Sequence, residues 1–192
     1  MMIRSAAACI ASMLGMSAIA APVTYNIDPN HTYPSFATDH FGGLSTWHGK
    51  FKSTSGKVVL DKEAGTGTVT LTVDAGSVDV GHEKLNEHIK SAEIIDVAKF
   101  PTANYQGTLA NFKAGAPTEV HGTLTLHGVT KPLNLTINHF KCMQNPMSKK
   151  DNCGADASAT FNRADFGISY GQAYGFDMTV TLQIQVEGIK AD

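Results

Sequence analysis

Eight histidines are the residues of this chain best suited to proton transfer or metal binding. Two of them, His82 and His88, sit in the acidic stretch GHEKLNEHIKSAEIID (Gly81–Asp96), among Glu83, Glu87, Glu93 and Asp96. A zinc-binding HExxH helix needs its histidines one turn apart on one face. At about 100° per residue, His82 and His88 diverge by about 240°, flanking a stripe of Leu85, Ile89 and Ala92 instead. Among His31, His40, His48, His121, His127 and His139, only His121 and His127 share a strand face, and an i, i+6 spacing separates them by roughly 20 Å. No metal site is expected. Histidines brought together by the fold, such as His40 and His88, leave one enzyme alternative, a metal-assisted hydrolase or isomerase. Nucleophile motifs are absent: there is no GxSxG, and GTGT at Gly65–Thr68 precedes no helix that could cradle a phosphate.

Arg163, in FNRADFG, is the only arginine apart from Arg4. Its neighbours Asp165, Phe161 and Phe166 point either to a positioned ion pair or anion contact, or to a structural pair at a strand end. Cys142 and Cys153 bracket a polar, turn-rich segment. In an exported chain such a pair reads as a disulfide, and the CxxC spacing of a redox or metal pair is missing.

The elements that must hold these residues are mostly strands. Residues 1–20 are expected to be a cleaved secretory signal, with Arg4, an apolar run and small residues at Ala18 and Ala20. An uncleaved anchor is the alternative, but the run is shorter than a span needs. That leaves Ala21–Asp192 as one exported domain. Nothing in it is apolar enough for stable membrane insertion. The formal net charge of −2, without a basic block, argues against nucleic acid as a partner.

Period-two alternation marks the strands. GFDMTVTLQIQVEG puts Phe176, Met178, Val180, Leu182, Ile184 and Val186 on one face. GTVTLTV does the same with Val69, Leu71 and Val73, and HGTLTLHGVTKPLNLTINHF supplies Leu124 and Leu126, then Leu133, Leu135 and Ile137. SFATDHF, GKFKSTSGKVVLD (with a turn at Gly56), NYQGTLANF and ADASATFNR complete about eight strands, which must form a sandwich or a barrel. The Leu85/Ile89/Ala92 stripe predicts one helix, capped by Ser77 or Asp79 and ended by Pro101. Phe36, Phe51, Phe100, Tyr105, Phe161, Phe166 and Phe176 fall mostly on dry faces, either as core or, in a barrel, as the wall of an apolar pocket.

Several ordered segments resemble the YceI-like family of exported bacterial proteins. They are YNIDPNHTYPSFATDHFGG with its His40–Gly42 element, SVDVGHEKLNEHIKSAEIIDVAKFPTANY, GTLTLHGVTKPLNL, FNRADFGISYG and the closing VEG. The resemblance spans essentially all of residues 21–192. It implies a mainly β fold, an eight-stranded antiparallel lipocalin-like barrel with one short helix near an opening. It also implies a long-chain isoprenoid lipid as ligand, such as a polyisoprenoid, quinone or polyprenyl phosphate, with no catalysis and no cofactor. On that reading the wall consists of Phe36, Phe51, Phe100, Tyr105, Phe161, Phe166, Phe176 and Met178, and the mouth of His40, Trp47 and Arg163. Many members carry an Arg-Asp pair in the helix where this chain has Leu85-Asn86, so no head-group role passes to that position. The Cys142–Cys153 segment belongs to only part of the family. A filled barrel acting as an interaction protein is the remaining alternative, and the assembly is left open between monomer and homodimer.

Overall fold

The computed structural model describes residues 21–192, so the leader expected over residues 1–20 lies outside the described residues. The alternating segments form strands β1 (Val23–Ile27), β2 (Tyr33–His40), β3 (Ser45–Phe51), β4 (Thr54–Asp61), β5 (Thr66–Asp74), β6 (Val78–Asp79), β7 (Thr102–Ala110), β8 (Glu119–Leu126), β9 (Val129–Pro132), β10 (Leu135–Gln144), β11 (Asp151–Asn162) and β12 (Thr179–Lys190). Helix α1 (Glu83–Lys90) stands between β6 and β7.

Four pairs of these segments, β1/β2, β3/β4, β5/β6 and β9/β10, are single staves interrupted by a bend. The twelve segments therefore build the eight staves expected. Each stave pairs antiparallel with its neighbour in sequence. The ring closes because β12 pairs with β11 on one side and with β2 and then β1 on the other, from Val180–Thr38 to Lys190–Tyr25. This is an up-and-down barrel, which leaves no long unpaired edge. At the bend between β1 and β2 the ladder is bridged by Asp28 N donating to Glu187 O at 2.9 Å and Glu187 N donating to Thr32 Oγ1 at 3.1 Å. Gly56 does not make the expected turn: it lies inside β4 opposite Leu71. That stave bends at Lys52–Ser53 instead, where both amides donate to Ser77 Oγ at 3.1 Å.

The helix forms where its stripe predicted it, with different ends. Ser77 is engaged at the β3/β4 bend, and Asp79 accepts from Gly81 N and Asn86 Nδ2. The cap is therefore His82, whose Nδ1 accepts from Leu85 N at 3.3 Å. The helix stops at Lys90, well before Pro101, because Ser91 turns extended and its hydroxyl donates back to His88 O at 2.7 Å. Ala92 consequently leaves the stripe and is exposed.

The two ends of the barrel are built differently. One carries the β2–β3 hairpin tip, α1 with the turns after it, the β8–β9 turn and the long connection from Arg163 to Met178. The other carries three short connections, β4–β5, β7–β8 and β10–β11. There Cys142 and Cys153 face each other across β10 and β11 and are joined in a disulfide, as their pairing predicted.

Candidate functional site

Alternation places one side chain in two inside the barrel, so the inner surface is made of consecutive cross-strand rows. Trp47, Thr38, Val180 and Phe161 form one row nearest α1, and Pro34, Ile184, Ala157 and Ile137 form another deeper in. Between them Phe36 faces Gly49, where any side chain would collide with the ring, since a Cβ would lie 2.5 Å from Phe36 Cζ. The rows do not meet in the middle. They enclose a cavity of about 550 Å³, within the usual range for a small-molecule site. Inward residues such as Phe36, Leu182 and Ile184 are half-buried rather than buried, because part of their surface faces that space. The barrel is thus not filled, against the filled-barrel alternative.

The structure brings most of the predicted residues to this cavity. Phe36, Phe51, Tyr105, Phe161 and Phe176 line it, and so do His40, Trp47 and Arg163. Three expected wall residues lie off it. Phe100 precedes β7 and packs at a tilt against His127, with ring centroids 4.4 Å apart. Phe166 sits in the 3-10 turn after β11, 2 % exposed, with its ring edge-on to Phe161 at 5.3 Å. Met178 precedes β12 and is buried beneath the same connection, its carbonyl accepting from Arg163 N at 2.9 Å. All three fall just outside strands, where alternation no longer assigns a side chain to a face.

The wall is chemically quiet. The Tyr105 hydroxyl donates to Leu133 O at 2.9 Å, and burial pushes its pKa up to about 12, so it stays neutral. Polar groups gather at the end bearing α1. The His40 ring packs against Phe41 at 4.6 Å and against Trp47 and Phe176 at 5.5 Å. His88 projects from α1 to the cavity, its ring edge-on to Tyr170 at 4.9 Å and its Nδ1 3.4 Å from Glu93 Oε2.

Arg163 forms no ion pair with Asp165. Its Nη1 donates to Ile168 O at 3.1 Å and its Nη2 to Tyr170 O at 2.7 Å, so it holds the loop that follows it. Burial pushes the guanidinium below its ordinary value, and the charge of Asp39 works the other way.

No two histidines fall in one cluster of three or more ligand-type side chains among the described residues. Among the described residues, the one cluster of three ligand-type side chains is Asp28, His31 and Glu187, with a single histidine, at the β1/β2 bend. There the His31 ring meets Asp28 Oδ2 at 2.7 Å. His121 is bound to Glu119, and His127 Nδ1 lies 3.1 Å from Phe166 O.

Several lining residues lie outside the wall and mouth sets expected from the sequence, although His88 is named there for the enzyme alternative. Leu85, His88 and Ile89 close over the cavity from α1, and Phe41 and Tyr170 reach it from loops. The Leu85/Ile89 stripe carried a signal, since an amphipathic helix in a barrel protein has to lay its apolar face on an opening. Phe41 and Tyr170 carried none, because loop residues have no periodicity.

Comparison with known proteins agrees with this architecture. Crystal structures of similar fold include Burkholderia cenocepacia BcnA, with a TM-score of 0.65 at 21% identity over 84% of this chain and 98% of that one. A polyisoprenoid binding domain from Saccharophagus degradans gives 0.60 at 16% identity, over 88% and 99%. In sequence, the protein YceI of Salmonella arizonae is 33% identical over 186 residues, covering 94% of both chains, and that of Salmonella paratyphi B matches equally. The profile of the YceI-like domain matches residues 25–188. A closed barrel, a helix across one end and a match over nearly every stave lead to one assignment: the chain belongs to the YceI-like family.

Proposed function

We propose that the protein is an exported binding protein that carries or sequesters a long-chain isoprenoid lipid, a polyisoprenoid, quinone or polyprenyl phosphate. The observation that carries this reading is the apolar cavity, bounded by aromatic and aliphatic side chains, with the histidine and charged side chains that line it (Asp39, His40, His88 and Arg163) at one end. Each buried methylene contributes about 0.8 kcal/mol, so a chain of isoprene units binds without specific polar contacts. The tail runs along Phe36, Phe51 and Phe161, and the head lies near His40, Trp47 and the half-buried Arg163. The work required is shielding, which needs no catalytic residue and no cofactor. Family membership and the likeness to a polyisoprenoid binding domain support the ligand class. The leader expected over residues 1–20 supports a periplasmic site of action.

The test is organic extraction of protein purified from its native host, with mass spectrometry of the extract. An isoprenoid lipid is expected in stoichiometric amount. Added quinone should raise the melting temperature of stripped protein and quench the fluorescence of Trp47, the only tryptophan. An empty extract together with an unchanged melting temperature sinks the proposal.

A further inference from the structure

Among the described residues, six large hydrophobic side chains are exposed. Four of them lie on two loops at the α1 end: Phe41 (55 %) and Leu44 (77 %) on the β2–β3 tip, Tyr170 (39 %) and Tyr174 (71 %) on the connection between β11 and β12. The loops are docked together. Phe41 packs on Phe176 at 4.9 Å, and Gly42 approaches so closely that a Cβ there would lie 2.9 Å from Gly175 O.

The apolar side chains do not stand out because the loops are slack. The Asp39 carboxylate accepts from the amides of Gly42, Gly43 and Asp177 at 2.6–2.9 Å, and Arg163 holds the carbonyls of Ile168 and Tyr170. Phe41 is kept at φ +52°, a conformation that a residue with a side chain rarely adopts. A monomer gains nothing by holding apolar rings rigidly in water.

We infer that these two loops are a membrane-docking rim, which seats the α1 end of the barrel on a lipid bilayer. Phe41 and Tyr170 both reach solvent and line the cavity. A continuous apolar path therefore leads from the outer surface of the rim to the interior, and a lipid moving along it never crosses water. Tyrosine and leucine are suited to the boundary between head groups and acyl chains. The rim residues are uncharged, and the carboxylate beneath them is bound by backbone amides, so attachment comes from apolar insertion and a zwitterionic bilayer suffices. This inference rests on the proposed lipid cargo.

The experiment uses the full mature protein and phosphatidylcholine vesicles free of isoprenoid. Co-sedimentation is measured for the wild type and for Leu44→Ser/Tyr174→Ser, two positions that do not line the cavity. The wild type is expected to partition onto the vesicles, and the double variant at least about tenfold more weakly. Loading from detergent-solubilised quinone, read by Trp47 quenching, is expected to be equal for both. Equal partitioning of both proteins, or none by the wild type, overturns the inference. So does a rim found buried in a wild-type dimer that does not sediment with vesicles. Failure of both proteins to load from detergent counts against the lipid cargo, while the sedimentation result still decides the docking rim.

Discussion

The two ends of the barrel solve opposite problems. At the closed end, short connections and the Cys142–Cys153 disulfide lock the staves to one another. Phe140 and Tyr25 pack inside that end, and Pro117 is fully buried. At the other end, no covalent link joins the described elements, and the long connections are held by single side chains reaching backbone groups. Asp39 collects three amides, Arg163 two carbonyls and Asp79 an amide and the Asn86 side chain. Such contacts set the local shape of the tips, while Phe166, Ile168 and Met178 are the side chains that the 163–178 connection buries. For the carrier proposed above, such a division suits a mouth that opens while the barrel stays folded: covalent locking at one end and local anchoring at the other.

The largest expected effect lies at the closed end. Cys142→Ser/Cys153→Ser should cost about 2–3 kcal/mol by releasing the closed loop, which for a domain of this size is roughly 5–10 °C in Tm. Thermal melts under non-reducing conditions measure it. Amide exchange at Gly42 and Gly43, at the far end, should not change at temperatures where the variant is folded. If the mouth amides accelerate along with the loss in Tm, the two ends are one cooperative unit and the contrast between them fails.

How much of each end was legible in the sequence follows the same divide. The staves were legible because alternation assigns every residue to a face: Val180, Leu182, Ile184 and Val186 all line the cavity, as do Val69, Leu71 and Val73. Alternation alone did not choose between sandwich and barrel, and the family resemblance made that choice. The mouth was legible only in part. His40 and Trp47 lie at strand positions and reach the cavity as expected. The partners of Arg163 are backbone carbonyls five and seven residues along, which leave no trace in residue types, so Asp165 drew attention in their place. His82, expected only to flank the Leu85/Ile89/Ala92 stripe, caps the helix instead, and histidine is not among the preferred capping residues.

A smaller effect, confined to α1, is expected at Asp79. The Gly81 amide, the Asn86 side chain and Lys52, in that order, hold its carboxyl down at about 2. A depressed carboxyl stabilises above its unfolded value, near 3.9. That contribution is lost as pH falls through the folded value, so α1 should loosen between about pH 4 and pH 2. The Gly81 amide resonance should titrate with a midpoint near 2 in the wild type, and this step should vanish in Asp79→Asn. A midpoint near 4 would mean that the anchor is not formed in solution.

The smallest change in overall stability, and the sharpest probe of the comparison, is expected at Asp39. Its carboxyl lies below the usual range because of the Asp177 amide, against a rise from desolvation, with the Gly43 and Gly42 amides adding to the lowering. All three donors are exposed loop amides. In Asp39→Ala they lose their shared acceptor but gain water, so the barrel is barely destabilised while the hairpin tip and the connection before β12 come apart from each other. Hydrogen exchange at Gly42, Gly43 and Asp177 should accelerate at least about tenfold, the equivalent of losing one modest hydrogen bond at each amide. Exchange along β11 and β12 below Val180 should stay as it was, and Tm should fall by less than in the disulfide variant. A drop in Tm as large as that variant's would show that the mouth carries the fold as much as the closed end does. Unchanged exchange would show that the tip is held by Phe41 and Phe176 packing, with the carboxylate incidental.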